Sequence, residues 1–516
     1  MKKIFFVSLA LCLMAGCNSV GYKNIYPEKV IAEKKLKADV DYTYKKLKKL
    51  HPKLYWYISK ESLDYKFDSL KSTITKPLSS IEFYTKISPV IASIKQGHTI
   101  IFPLPKRLSK KEKKAYSKKG AGPLSQFEFD IQDNKLYMIA NKSHDKTIKP
   151  GTEVLSINNK NTPELLRNYA TRFTGDGFNK TFIKNELSRS FPIYYTLENG
   201  LTDSIQYVLK YNDTLKKTVI KRQEIDSLKT ADNQRKKKEK AQNKADKDKK
   251  NIRGYDPLTE TYNRNLRFME KDSSIAILKI REFSIGNYAD FYNESFTKIY
   301  LYGTKNLILD LRDNPGGRLD EIAYLYTFLA NETFIFMDDS QVVSKTSMLS
   351  GEYFRESPFG LKIIKALAIP IYFPYLFFKT HKKEDGNYYF SVETKPQAIS
   401  PVAFDGSIYV LINGGSISAS SLISSNLKGS GRALFVGEET GGAFNGTVAG
   451  KMYVSKLPHS KLTIRFGLML NSSNYETALD GRGIFPDKTI IPTLEDKING
   501  RDPELEWILQ QIKINE

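Results

Sequence analysis

Two short apolar runs, each stopped by glycine, constrain this chain more than any other feature in it. Residues 306–317 read Asn-Leu-Ile-Leu-Asp-Leu-Arg-Asp-Asn-Pro-Gly-Gly, and residues 408–421 read Ile-Tyr-Val-Leu-Ile-Asn-Gly-Gly-Ser-Ile-Ser-Ala-Ser-Ser. Each is followed by a segment of helical character, so each reads as a buried strand ending in a turn that opens a helix. At such turns backbone amides are free and a side chain can project. One turn supplies glycine amides that nothing blocks. The other supplies serines at the start of a helix. A serine nucleophile and an oxyanion hole need those two supplies.

From residue 254 onward strands and helices alternate: Ile275–Ile280, the 306–311 run, the segment after Gly317, the 408–413 run, the segment after Ser418, then Ala433–Val436. That alternation predicts an α/β sheet with crossover helices. Upstream, residues 30–97 carry apolar side chains at three-to-four spacing, and Ser79 and Ser80 ahead of Glu82 mark a helix start. Residues 122–224 change character. Phe127–Ile131 alternates, Lys135–Ala140 reads as a strand, Pro163 opens a helix, and two further strands flank an Asn212-Asp213 turn.

The two glycine-stopped segments resemble the core of the C-terminal processing (tail-specific) and tricorn-type serine peptidases. Asp310, Arg312, Asn314, Gly316 and Gly317 match that family's first motif, and Asn413, Ser418, Ala419 and Ser420 its second. The resemblance implies a crotonase-like (ClpP/crotonase) β-β-α core and places the nucleophile at Ser418 rather than Ser416, Ser420 or Ser421. It implies an oxyanion hole from the amides of Ala419 and of Gly316 or Gly317. The stretch Ile148 to Asn158 resembles a PDZ domain. The domain reading is therefore a signal peptide at 1–17, an N-terminal helical domain at 18–121, a PDZ-like domain at 122–226, a charged linker at 227–253 and an α/β peptidase core at 254–516.

A serine needs a base. The simplest processing proteases carry a lysine soon after the nucleophile, but the matching stretch here, Gly437 to Gly446, has none, and Lys451 lies too far along. Of five histidines, His98 in Gln-Gly-His-Thr resembles the tricorn-type position, where the base comes from a domain ahead of the PDZ-like module. A neutral imidazole takes the serine proton and returns it to the leaving amine. His51, in His-Pro-Lys-Leu-Tyr, reads as structural. For the acid that orients the imidazole, Asp480 ahead of Gly483-Ile-Phe-Pro-Asp resembles the family's position, with Glu476 as competitor. Ser421, Gln96 and Asp480 each replace a more usual family residue. They keep open a second reading, a catalytically silent relative that binds peptides or ligands in the envelope. No Cys/His spacing suggests a metal, and no cofactor is expected.

Met-Lys-Lys followed by an apolar stretch ending in Ala-Gly-Cys resembles a bacterial lipoprotein signal, with Cys17 the lipidated residue. The expected location is the cell envelope, lipid-anchored, in a Gram-negative bacterium. The mature chain would hold one cysteine, so no disulfide forms. Formal charge is +23 with 40% hydrophobic residues. The excess is spread over many lysines and no nucleic-acid motif accompanies it, so the expected partners are a peptide or protein substrate and an anionic membrane, not nucleic acid. Between Arg235 and Lys250 nine basic and three acidic residues occur with no large apolar one, which predicts a solvated linker or lone charged helix. Ala366 to Phe378 is uncharged and aromatic-rich, with Pro370 and Pro374. At thirteen residues it is too short to span a bilayer, and it is expected as core or groove wall, with a lid or a membrane-touching loop as alternatives.

Overall fold

The computed structural model describes residues 29–223, 244–257, 259–269, 272–354 and 359–515. Cys17 and most of the lysine-rich run lie outside these residues.

Three sheets organise the molecule. The central one orders its strands as Arg264–Met269, Asp272–Ile280, Asn306–Asp310, Ser407–Ile412, Ala433–Gly437 and Lys488–Thr489. Only the first pairing is antiparallel; from Asp272–Ile280 onward all neighbours run parallel. Both apolar runs are thus central parallel strands, which explains why every residue of Asn306–Asp310 is buried. Leu307 and Leu309 pack into one core with the helices Tyr288–Leu301, Leu319–Tyr326 and Ala419–Gly429, while Ile308 faces Ile508 and Ile512 of the C-terminal helix Pro503–Asn515. Alternation of period two along one strand therefore feeds two cores.

Three helices, Glu33–Leu50, Lys60–Ser72 and Ser80–Ala92, occupy the N-terminal region as expected. Ser79 and Glu82 close a reciprocal capping box on the third. The segment after His98 then leaves the helical region and joins the core. Strand Ile100–Phe102 pairs antiparallel with Thr463–Asn471, setting Ile100 against Arg465 and Ile101 against Ile464. That second sheet continues through Ser340–Val342, Tyr388–Phe390 and Thr380–Lys382, with Thr447–Lys456 on the other side of Thr463–Asn471. The third sheet is antiparallel, Phe127–Gln132, Lys135–Asn141, Thr152–Ile157, Ser204–Tyr211 and Thr214–Lys221, and packs on the helices Thr162–Ala170 and Thr181–Asn199. Asn212, at φ +50°, makes its hairpin turn.

Two expectations need correction. The charged segment takes the helical alternative at its end, but not as a lone helix: Lys244–Arg253 is helical, Ile252 packs against the central core, and the Asn251 carbonyl accepts the Asn287 amide. The aromatic insertion is not a loop, and it is core on one face only, where Leu376 is buried and Tyr372 and Phe373 pack inward. It belongs to a helix, Phe359–Lys379, whose apolar side chains mostly face outward. Its two prolines cost hydrogen bonds within the helix but did not stop it.

Candidate active site

Ser418 sits at the N-cap of the helix Ala419–Gly429 with φ +63° and ψ −124°. A non-glycine residue there is strained by about 1–3 kcal/mol, and the surrounding turn must hold it. Asn413 ties the two strand ends together. Its Oδ1 accepts the amides of Asp313 and Gly415, and its Nδ2 donates to Asp313 Oδ1. Ser416 is fully buried, donating its Oγ to the Leu311 carbonyl and accepting the Asn413 amide. Gly441 and Gly442 brace the turn from behind by donating to the Ser416 carbonyl. Ser420 is buried, and Ser421 donates to the Ser418 carbonyl. The Ser418 Oγ has no hydrogen-bond partner among the described residues and opens onto the groove, so of the four serines it is the one presented for reaction.

The first glycine turn closes over this serine. A β-carbon on Gly316, whose φ is +93°, would lie 2.7 Å from both Ser418 Cβ and the Ala419 amide nitrogen. Asn314 shapes the turn: its Oδ1 accepts the Gly316 amide and its Nδ2 donates to the Ile280 carbonyl. This narrows the expected oxyanion hole, because the Gly316 N–H is already spent. At Gly317 the bridge to Phe283 is made by the flanking groups, Phe283 donating to the Gly316 carbonyl and Arg318 to the Phe283 carbonyl. The Gly317 N–H takes no part in that bridge, and neither it nor the Ala419 N–H at the first turn of its helix has a partner among the described residues.

His98 reaches the same groove from the N-terminal region. A β-carbon on Gly97 would stand 3.0 Å from Ile417 Cδ1, so the residues preceding base and nucleophile touch. The buried His98 Nε2 has no hydrogen-bond partner among the described residues. Burial, helped by the charge on Arg465, pushes its imidazole down to about 4, so it is neutral at pH 7. His51 is indeed a brace: its Nε2 lies 3.0 Å from Thr99 Oγ1, and burial pushes its pKa down to about 3. Lys451 is engaged elsewhere, donating to the Tyr372 hydroxyl at 2.9 Å.

Asp480 is not brought to His98. Its loop turns outward, its carboxylate accepts from the Trp56 indole at 2.7 Å and from Asn445 at 3.1 Å, and it is exposed. Glu476 is exposed too. A buried carboxylate that the sequence did not single out meets the backbone next to His98. Asp176, in Thr-Gly-Asp-Gly, is buried and accepts the Gly97 amide at 2.8 Å. Burial pushes its pKa up to about 6, against the pull of the Gly97 amide and of the Thr447 hydroxyl and Ala443 amide beside it. Glycines on either side of an acid were the available signal. Gly177 is at φ +68°, and a β-carbon there would lie 2.2 Å from the Gly481 carbonyl oxygen.

Ser418, His98, Gly316, Gly317 and Ala419 line one groove of about 820 Å³, with Phe173, Phe182 and Met452 among its apolar walls. The motif pair Asp310–Arg312 lies outside it. Arg312 binds Asp310, Asp502 and Glu504, fastening the C-terminal helix to the central sheet.

Residues 274–490, which contain both glycine turns and Ser418, match the sequence profile of peptidase family S41. The chain carries an S41 peptidase domain. This is the domain of a serine-type peptidase. The S41 fold extends to solved structures at low identity. Mature CPAF complexed with lactacystin aligns at 13% identity over 93% of this chain and 98% of that one, with a TM-score of 0.58. Mature CPAF alone gives 13%, 90%, 94% and 0.55. The photosystem II D1 C-terminal processing protease is looser, at 13% identity, 90% and 96% coverage and a TM-score of 0.40. No curated protein matches this chain in sequence.

Proposed function

We propose that this chain is an envelope lipoprotein serine endopeptidase working through an acyl-enzyme. Ser418 Oγ attacks the scissile carbonyl while His98 Nε2 takes its proton. The oxyanion is received by the N–H groups of Ala419 and Gly317, each such donor being worth about 3–4 kcal/mol in the transition state. His98 then gives the proton to the leaving amine, and water repeats the sequence on the ester. Asp176, rather than Asp480, is the carboxylate that positions the base, acting through the Gly97 backbone. The observation that carries this reading is the strained Ser418 with its Oγ open to the groove that the glycine turn and Ala419 also line, with a neutral imidazole unpartnered among the described residues in the same groove. The substrate class is peptide or protein. Anchoring is assigned to Cys17 from the signal sequence.

The silent-relative reading has one observation in its favour: Ser418 and His98 are not hydrogen-bonded to each other. An unfolded protein substrate tests both readings. The wild-type chain is expected to fragment it, Ser416→Ala to retain part of the activity, and Ser418→Ala and His98→Ala to lose it almost equally, because nucleophile and base act as a unit. Binding without fragmentation in the wild-type chain would favour the silent relative. Incorporation of labelled fatty acid, abolished by Cys17→Ser, tests the anchor separately.

A further inference from the structure

The helix Phe359–Lys379 carries an exposed apolar surface that the peptidase reading leaves unused. Its outward stripe runs Ile364, Leu367, Ile371, Tyr375, Phe378, a spacing of three and four that lines one helical face. Leu367, Ile371 and Phe378 are 76%, 77% and 78% exposed. An uncovered stripe of that length is a binding surface. The opposite face is committed: Leu376 is buried, Tyr372 and Phe373 join the second core cluster, and Tyr372 stacks on Tyr353 at 4.5 Å.

We propose that this helix is a membrane-docking element that lies in the headgroup region of an anionic phospholipid leaflet. Charge selects the occupant. The helix holds three lysines and no acidic residue, and the protein carries +23 overall. Lys362 at one end and Lys379 and Lys382 at the other make no ion pair among the described residues, which leaves them for lipid phosphates. The apolar stripe would enter the acyl boundary between them, the arrangement of an interfacial helix.

Topology decides between lying on the bilayer and crossing it. Twenty-one residues make a helix of about 31 Å, long enough to cross. Crossing would carry its two ends to opposite sides. Both ends, however, return to one sheet: Ser340–Val342 before the helix and Thr380–Lys382 after it each pair with Tyr388–Phe390. The inward face is also packed on protein. Docking in the plane satisfies both constraints. It also brings the groove toward the leaflet, since Tyr372 bonds Lys451 in the strand Thr447–Lys456, and Ala449, Gly450 and Met452 of that strand line the groove.

The test uses the full chain with vesicles of phosphatidylethanolamine and phosphatidylglycerol that carry a photoactivatable lipid, followed by peptide mapping of the label. Mapping at peptide level separates this surface from any tether at Cys17. Label is expected on the 359–379 peptide. It should fall at least about tenfold in Leu367→Glu/Ile371→Glu, whose exposed positions leave the fold intact, and on phosphatidylcholine vesicles. The control Leu215→Glu/Val219→Glu should label as wild type. Label spread evenly, or unchanged in the helix variant, overturns the proposal. So does a concentration-dependent dimer that dissolves in the helix variant without lipid labelling, which would make a second copy the occupant. A tenfold change of peptidase activity in that variant without vesicles would make the helix a lid and also overturn it.

Discussion

Ser418 holds a backbone conformation that serine disfavours, and its neighbours supply the force. Asn413, Asn314 and the glycines around them spend their hydrogen bonds on the turn instead of on a substrate. Strain of this kind is removable. Ser418→Gly should be more stable than Ser418→Ala by about 1 kcal/mol or more in denaturant melts, because glycine accepts φ +63° and alanine does not. Equal stabilities would show that the turn is unstrained. His98 gives a second residue-scale prediction. With its pKa lowered to about 4 the base is neutral above that value, so kcat/KM should rise through an apparent value near 4 and not near the 6.5 of an ordinary histidine. A rise near 6.5 would mean that the free enzyme keeps His98 in water. That Ser418 and His98 belong to one groove was legible from the spacing after Asn413 and from Gly-His-Thr. The size of the pKa depression was not, because it depends on burial by the 447–471 strands, far off in sequence.

At the scale of elements, the site is assembled by loops that meet rather than by any one helix or strand. The 174–178 loop is the clearest case. Asp176 donates its amide to the Gly441 carbonyl, Gly177 to Lys95, Phe178 to Gly481, and the Asp176 carboxyl accepts from Gly97. Four segments meet there, and the sequence marks it only by two glycines. Asp176→Ala should cost about 1–3 kcal/mol of stability and lower kcat more than it raises KM, while Asp176→Asn keeps the acceptor and restores most of kcat. An alanine variant with wild-type kcat would remove Asp176 from the positioning of His98. The glycine-stopped strands were legible because burial on both faces leaves an unbroken apolar run. Asp480 was misplaced because motif context carries no information on which way a loop turns, and Trp56 holds this one outward. The helix Phe359–Lys379 was misread for a related reason: apolar sequence signals burial, and one face of this helix is left uncovered by the described residues.

The whole molecule depends on the N-terminal helices joining the α/β core, and a buried histidine, His51, and a half-buried one, His98, record that union. His51 and His98 have pKa values lowered to about 3 and about 4, so the stability they contribute is present above the ordinary value of 6.5 and is lost as pH falls toward 4 and 3. Asp176 and Glu504, raised to about 6 and about 7 mainly by burial, act oppositely, their contribution being lost as pH rises through those values. Comparison with a variant isolates one group. The advantage of wild type over His51→Gln should shrink by about 1.4 kcal/mol per pH unit between about pH 6 and 4; a constant difference would contradict neutral burial. The α/β class, the N-terminal helices and the strand-rich module between them were legible from periodicity. The antiparallel pairing of Ile100–Phe102 with Thr463–Asn471, which delivers His98, was not, since nothing local in three residues names a partner 360 positions on. The central claim is that Ser418 is a nucleophile activated by His98, and intact-protein mass spectrometry after exposure to a fluorophosphonate tests it most directly. One covalent adduct, mapped to Ser418, absent in Ser418→Ala and strongly slowed in His98→Ala, is the expected result. No adduct on the wild-type chain, or an adduct formed at an unchanged rate in His98→Ala, would contradict it.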